Sequence, residues 1–209
     1  MMRALKRKAR RIQEKETRRR DILQAAATVF KRNGFMKTSM KQVADESTLA
    51  VGTLYRYYKS KEELFVAIVF DAMMLLHVKL KEIAESQSPA GEKIEIVWNF
   101  FFEFYEEIPM YYHALLFLHD LSFASAFTKP VSDEVSTISG KNFGLLTKIV
   151  KESMDEGVLW PGHPKVVADY LWGTFVGLVN LTESRKNLGI ESSNLKKIHQ
   201  AMLPMILNK

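Results

Sequence analysis

Residues 38–64 read TSMKQVADESTLAVGTLYRYYKSKEEL, and this stretch decides the fold. It holds two short helical patterns joined by a tight connection. Thr38 or Ser39 can cap the first helix, whose inward residues are Met40, Val43 and Ala44. The connection falls near Glu46–Leu49, and the pattern predicts a second helix over 50–57. Leu49 and Leu54 complete an apolar lock that sets the crossing of the two helices. Gly52 removes a side chain where backbone must approach closely, and Ala50, Val51 and Thr53 are small enough to enter a major groove. Tyr55 and Tyr57 bring phenol hydroxyls to phosphate distance, and Lys41 and Arg56 add cations. Ser60 can cap a further helix with Glu62 and Glu63 in its first turn. Lys61 stands at its start, where its charge and the amides can share a phosphate, and the amides at Thr38 and Ser39 offer a second such place. Any single tyrosine here is better read as amphipathic core. The set, with its flanking charge, is better read as a face for a DNA groove.

Outward from this stretch the pattern stays helical. No Gly or Pro occurs from Arg3 to Asn33, and Ile22, Leu23, Ala26, Ala27 and Phe30 form one stripe. Gly34 then occupies a C′ position. Downstream, Leu64, Phe65, Ile68, Val69, Ala72, Leu75 and Leu76 continue an apolar stripe, and Pro89, Gly91 and Pro109 interrupt the pattern. Helices are expected over 94–108, 110–121, 132–156, 165–184 and about 193–207, with Pro164 at a first helical position and Pro204 fraying the last. Alternating strand patterns are scarce, so the fold class is all-α.

The 209 residues suit one compact unit or two small ones, and 47% hydrophobic with 26% charged residues fits a globular chain. The net charge of +6 is uneven. Residues 1–65 carry 17 Lys/Arg and 7 Asp/Glu, and residues 66–209 carry 13 and 17. A basic first third on a mildly acidic body suggests that one end meets a polyanion. The absence of cysteine excludes disulfides and thiolate metal sites and fits a reducing, cytoplasmic location. There is neither an 18-residue apolar run nor a secretory signal, so no membrane partner is expected.

The stretch Arg19–Leu64 resembles the DNA-binding domain of the TetR (tetracycline repressor) family. The resemblance is carried by Arg19, Ile22, Leu23, Ala25, Ala26, Phe30, Gly34, Phe35, Thr38, Ser39, Met40, Val43, Ala44, Gly52, Thr53, Leu54, Tyr55, Tyr58, Lys61, Glu63 and Leu64. It implies a three-helix helix-turn-helix DNA-binding domain, then a helical ligand-binding and dimerisation domain, in a homodimer. It also implies that the helix over 50–57 reads the operator and that Thr53, Tyr55 and Lys61 touch bases or phosphates. The expected division is a basic arm over 1–20, the DNA-binding domain over 21–66 and the ligand and dimer domain over 67–209. The chain departs from the family pattern in three places. Thr48 stands where the family usually has glycine, and Leu49-Ala50 where it usually has Val-Ser. Thr48 is therefore expected to replace the missing serine as helix cap, or the cap is absent. The third departure is the arm, with 10 Lys/Arg and 2 Glu, read either as a solvated tail or as an added DNA contact.

The middle of the chain is dense in rings. A ligand pocket lined by some of Trp98, Phe102, Tyr105, Tyr112, Phe117, Phe143 and Trp172 is expected, for an apolar or aromatic small molecule. For any one of these residues a plain core role weighs more. Ala168, Gly173, Gly177 and Leu181 mark a candidate dimer seam. His113 and His119 are six apart, poor spacing for one helix face even with Glu106, Glu107 and Asp120 nearby, so no metal site is expected. No nucleophile, phosphate-loop or zinc signature occurs, so neither enzyme nor cofactor chemistry is expected. The expected function is a ligand-responsive regulator, a repressor on a near-palindromic operator. The alternative, which Thr48 and Ala50 favour, is a binding protein of the same fold that has lost operator reading.

Overall fold

The structure, a computed structural model, describes residues 2–117, 129–190 and 194–208, with the side chains of 6–116, 129–190 and 194–208. Its elements are α1 (Met2–Asn33), α2 (Met40–Glu46), α3 (Val51–Tyr57), α4 (Lys61–Glu85), α5 (Ala90–Glu107), α6 (Pro109–Phe117), α7 (Lys129–Asp155), α8 (Pro164–Asn187) and α9 (Leu195–Ile206). No strand occurs among the described residues. Two compact units result. One takes Met1–Ala72 with Met110–Asp133, the other Met73–Pro109 with Glu134–Lys209.

In the first unit the apolar stripe of α1 meets α2, α3 and the start of α4. Ile22, Ala26, Val29, Val43, Ala44, Leu54 and Leu64 are all fully buried. Burying each large aliphatic side chain contributes roughly 1.5–3 kcal/mol. Phe30, Phe35 and Phe65 close the corner with ring centroids 5.4 to 5.9 Å apart. Gly34 turns the chain at φ 75°, and its amide bonds the Phe30 carbonyl at 2.8 Å, which ends α1. The arm is not a separate tail among these residues, because α1 runs unbroken through residue 20. The lack of any Gly or Pro before Gly34 leaves nothing to stop it.

In the second unit α5 is the central helix. Ile94, Val97, Trp98, Phe101 and Phe104 are at most 2% exposed, and they pack with Leu171, Phe175 and Val179 of α8. Trp98 Nε1 donates to the His199 carbonyl, His199 Nε2 donates to the Trp98 carbonyl, both at 2.9 Å, and the two rings stack at 5.0 Å. Lys93, nearly buried, has its charge answered by Glu152 at 3.0 Å. α5 begins at Ala90 rather than near Ile94, since the fixed φ of Pro89 starts the helix from its N-cap and Gly91 is tolerated in the first turn. The expected helix over 110–121 is described as far as Phe117, and residues 118–121, with His119 and Asp120, lie outside the described residues.

Candidate nucleic-acid interface

The α2–α3 connection positions the site. Ser39 caps α2, with its amide on Gln42 Oε1 at 2.8 Å and its hydroxyl accepting the Gln42 amide at 3.3 Å, a reciprocal capping box. Thr48 lies in the left-handed region at φ 54°, a conformation that costs a β-branched residue about 1–2 kcal/mol. A glycine suits this position, which gives the family departure a physical meaning. Ala50 is the N-cap of α3 and makes no side-chain cap bond, so Thr48 does not replace the missing serine.

α3 buries Leu54 alone and turns its other face out. Ala50, Gly52, Tyr55 and Arg56 are exposed, Val51, Thr53 and Tyr57 are half-buried, and Lys41 of α2 is exposed. A Cβ added at Gly52 would meet nothing within 4 Å. The glycine therefore answers no crowding inside the subunit, and a smooth outward face is what it adds.

Three expected phosphate contacts need correction. Thr38 is buried at 4% exposure; its hydroxyl donates to the Gly34 carbonyl at 2.8 Å and its amide to the Phe35 carbonyl at 3.1 Å. The Ser39 amide is likewise taken up by the capping box. These two residues shape the turn into α2 instead of offering free amides. Lys61 is also engaged. Its Nζ donates to the carbonyls of Phe35 and Met36 at 3.1 and 3.2 Å and lies 4.6 Å from the centre of the Phe35 ring. Lys61 thus ties α4 to the turn after α1, and two of its three donors are used in doing so.

One pair carries more than the sequence showed. Arg19 Nε donates to the Tyr58 hydroxyl at 2.8 Å, fixing the C-cap of α3 to α1. Burial pushes the Tyr58 phenol up against the pull of Arg19. The Tyr58 bond holds Arg19 above its usual range. Asp71 of α4 and Tyr111 of α6 sit in the same charged neighbourhood, and burial raises both. Arg19 and Tyr58 both belong to the family pattern, but their bond spans 39 residues and has no local sequence signal.

The expected ligand set is divided. Tyr112 is fully buried in the first unit, whereas Trp98, Phe102, Tyr105, Phe143 and Trp172 belong to the second. The side chain of Phe117 lies outside the described residues. Trp98 is core, held by His199. Phe102 is half-buried against the His199 ring at 4.8 Å. Trp172 packs on Phe101 at 5.1 Å. The Tyr105 hydroxyl reaches Glu183 at 3.2 Å, and burial together with that carboxylate raises the phenol to about 12. Phe143 is half-buried on α7. Beside it Asn142, nearly buried, accepts from His77 Nδ1 at 2.9 Å and donates to the Met73 carbonyl at 3.0 Å. This polar insertion in an apolar contact was missed, because His77 is isolated in sequence.

On α8 the expected seam splits between two faces. Ala168 is fully buried with Leu171, Phe175 and Val179, on the face that packs within the subunit. The helical period puts Gly173, Gly177 and Leu181 on the other side. There Val166, Tyr170, Leu181 and Leu188 are 63, 59, 56 and 70% exposed. Added Cβ atoms at Gly173 and Gly177 would meet nothing within 4 Å. Among the described residues no cluster of His, Asp and Glu could hold a metal ion, and no helix is long and apolar enough to cross a membrane.

A capped helix crossing a second helix that shows small residues, hydroxyls and cations to solvent defines a helix-turn-helix DNA-binding protein. Residues 22–68 match the family model described as bacterial regulatory proteins, tetR family. That segment of the chain is thus similar to the DNA-binding domain of the TetR family. It is 43% identical over 76 residues to an uncharacterized HTH-type transcriptional regulator, YfiR, of Bacillus subtilis, covering 36% of this chain and 37% of that one. It is 26% identical over 145 residues to the HTH-type transcriptional repressor KstR2 of Mycolicibacterium smegmatis, covering 69% of each. The fold matches that of AibR, solved with isovaleryl coenzyme A and operator DNA, with a TM-score of 0.70, 19% identity and coverage of 90% of this chain and 97% of that one.

Proposed function

We propose that this chain is a ligand-responsive repressor that binds a near-palindromic operator as a homodimer in the cytoplasm, with 21–66 reading DNA and 67–209 sensing and pairing. The observation that carries the reading is the outward face of α3, where Gly52, Thr53, Tyr55 and Arg56 stand on a rigid, capped scaffold. Thr53 is the residue for base edges, and Tyr55, Arg56 and Lys41 serve the backbone. Lys61 holds the turn in place and offers its third donor.

The dimer reading rests on α8. Val166, Tyr170, Gly173, Gly177, Leu181 and Leu188 recur at helical spacing on a face turned away from the core of the subunit. A second copy related by a two-fold axis suits such a face, because the glycines let two helices approach closely. The ligand class is apolar or acyl. The aromatic second unit supports it, as does the likeness to AibR, whose structure holds an acyl coenzyme A. A ligand shifts the operator equilibrium only through different affinity for the two states of the protein.

Light scattering at micromolar concentration tests the dimer, and Leu181→Arg should make it a monomer. Operator-bound protein titrated with acyl coenzyme A and aromatic compounds tests release. If every compound leaves the complex intact and the intrinsic tryptophan fluorescence unchanged, the ligand part of this reading fails while operator binding stands.

A further inference from the structure

The first twenty residues hold ten Lys or Arg and two Glu. They continue α1 without a break, and every residue from 6 to 21 is exposed. Their charges are not spread evenly around the helix. Lys8, Arg11, Lys15 and Arg18 follow one another at steps of three and four, and the same line runs on through Ile22, Ala26 and Val29. Those last three are fully buried in the three-helix domain. The stripe by which α1 packs on its domain is therefore carried past the domain edge by cations. Arg19, bonded to Tyr58 at the C-cap of α3, marks where that edge lies.

The acids do not cancel this stripe. Glu14 lies beside Arg11 and Arg18 at helical spacing but pairs with Arg10 at 2.8 Å, Asp21 borders Arg18 alone, and Glu16 falls about a third of a turn from the line of cations. Like charges three and four residues apart oppose helix formation, and an exposed helix of this length gains nothing from packing. A line of negative charge laid along the stripe would remove that repulsion and hold the helix.

We propose that Lys8, Arg11, Lys15 and Arg18 form a second DNA contact, clamping duplex phosphates beyond the half-site that α3 reads. The proposal rests on α3 binding duplex DNA. From Lys8 to Arg18 the helix runs about 15 Å, the length of roughly four to five base pairs. An anionic lipid surface fits less well, since a helix that lies on lipid needs a broad apolar face and Ile12 is the one large apolar side chain exposed in this span.

The test uses the full chain and its selected operator as two duplexes, one cut at the half-sites and one extended by about six base pairs at each end. Affinity is measured across salt concentrations for the unaltered chain and for the variant K8Q/R11Q/K15Q/R18Q. The extension should tighten the unaltered chain by roughly tenfold or more. The variant should gain nothing from it, and its salt slope should be shallower by about 0.9 for each phosphate it no longer neutralises, with unchanged site preference and melting temperature. A chain lacking residues 2–16 should behave as the variant does, which keeps the test decisive if the fourfold change disturbs folding. Equal extension gain and equal slope in both proteins would overturn the proposal and leave operator reading intact. If the unaltered chain selects no site at all, the reading of α3 fails and this proposal falls with it. If the variant loses binding to anionic vesicles but keeps the full gain on DNA, the stripe serves lipid and the proposal is wrong.

Discussion

The exposed helix α3 and the central helix α5 are both rich in rings, and they treat them in opposite ways. In α3, Tyr55 stands 43% exposed and Tyr57 is half in solvent, beside a glycine with open space around it. In α5, Trp98, Phe101 and Phe104 are at most 2% exposed, and Trp98 is held by a reciprocal pair of hydrogen bonds with His199. A ring left in solvent on a short helix contributes little to folding and remains available to a partner. A ring buried at a helix crossing contributes to stability and is unavailable to anything else. The same residue type thus reports recognition in one region and cohesion in the other.

Substitutions should separate the two regions. Trp98→Ala opens a large cavity and strands the His199 carbonyl, so it should lower unfolding free energy by about 3–5 kcal/mol in a urea titration. A loss under about 1 kcal/mol would mean that the ring is not core. Tyr55→Ala should do the reverse, changing stability by about 0.5 kcal/mol or less while weakening operator binding roughly tenfold. If both substitutions moved stability alike, the contrast between the helices would be wrong.

Smaller effects sharpen the picture inside the motif. Tyr58→Phe deprives Arg19 of its acceptor and should cost about 1–2 kcal/mol. Thr48→Gly relieves a left-handed β-branched residue and should stabilise the domain by about 0.5–1 kcal/mol. Ala50→Ser restores a helix cap and should add about 1 kcal/mol, with no loss of operator affinity. Thermal melts of the three variants check all of these together.

The smallest expected effect is a pH dependence in the second unit. Burial pushes His199 below its ordinary value. The folded protein then binds its proton less readily than the unfolded chain does. Stability attributable to this group is fully present above the ordinary histidine range and is lost as pH falls from there through the lowered folded value. Melting temperature should therefore drop between neutral and mildly acid pH, and His199→Gln should flatten the drop. An unchanged drop in that variant would assign it elsewhere.

Much of this was legible in the sequence because local chemistry decided it. The capping serines, the C′ glycine and the helical stripes place the helices within a few residues. The family pattern locates α3 and marks the odd Thr48, whose positive φ explains why glycine is usual there. What stayed hidden depends on pairs far apart along the chain. Arg19 with Tyr58, Lys61 with the Phe35 carbonyl and His77 with Asn142 have no spacing rule to betray them. The ligand set misplaced Trp98 for a related reason. Ring density says that a region is apolar, but not which rings face a space and which face one another. Ala168 shows the same limit on α8. Small residues share a composition signal, and helical phase alone separates the buried face from the exposed one.

The central claim is that α3 reads duplex DNA in pairs. Purified protein should be incubated at low ionic strength with a pool of random duplexes, and the bound fraction sequenced over several rounds. The account predicts enrichment of one near-palindromic site with half-sites about 34–36 Å apart, and a changed preference within that site in Thr53→Ala. A pool that stays random through every round, with well-folded protein, would contradict it.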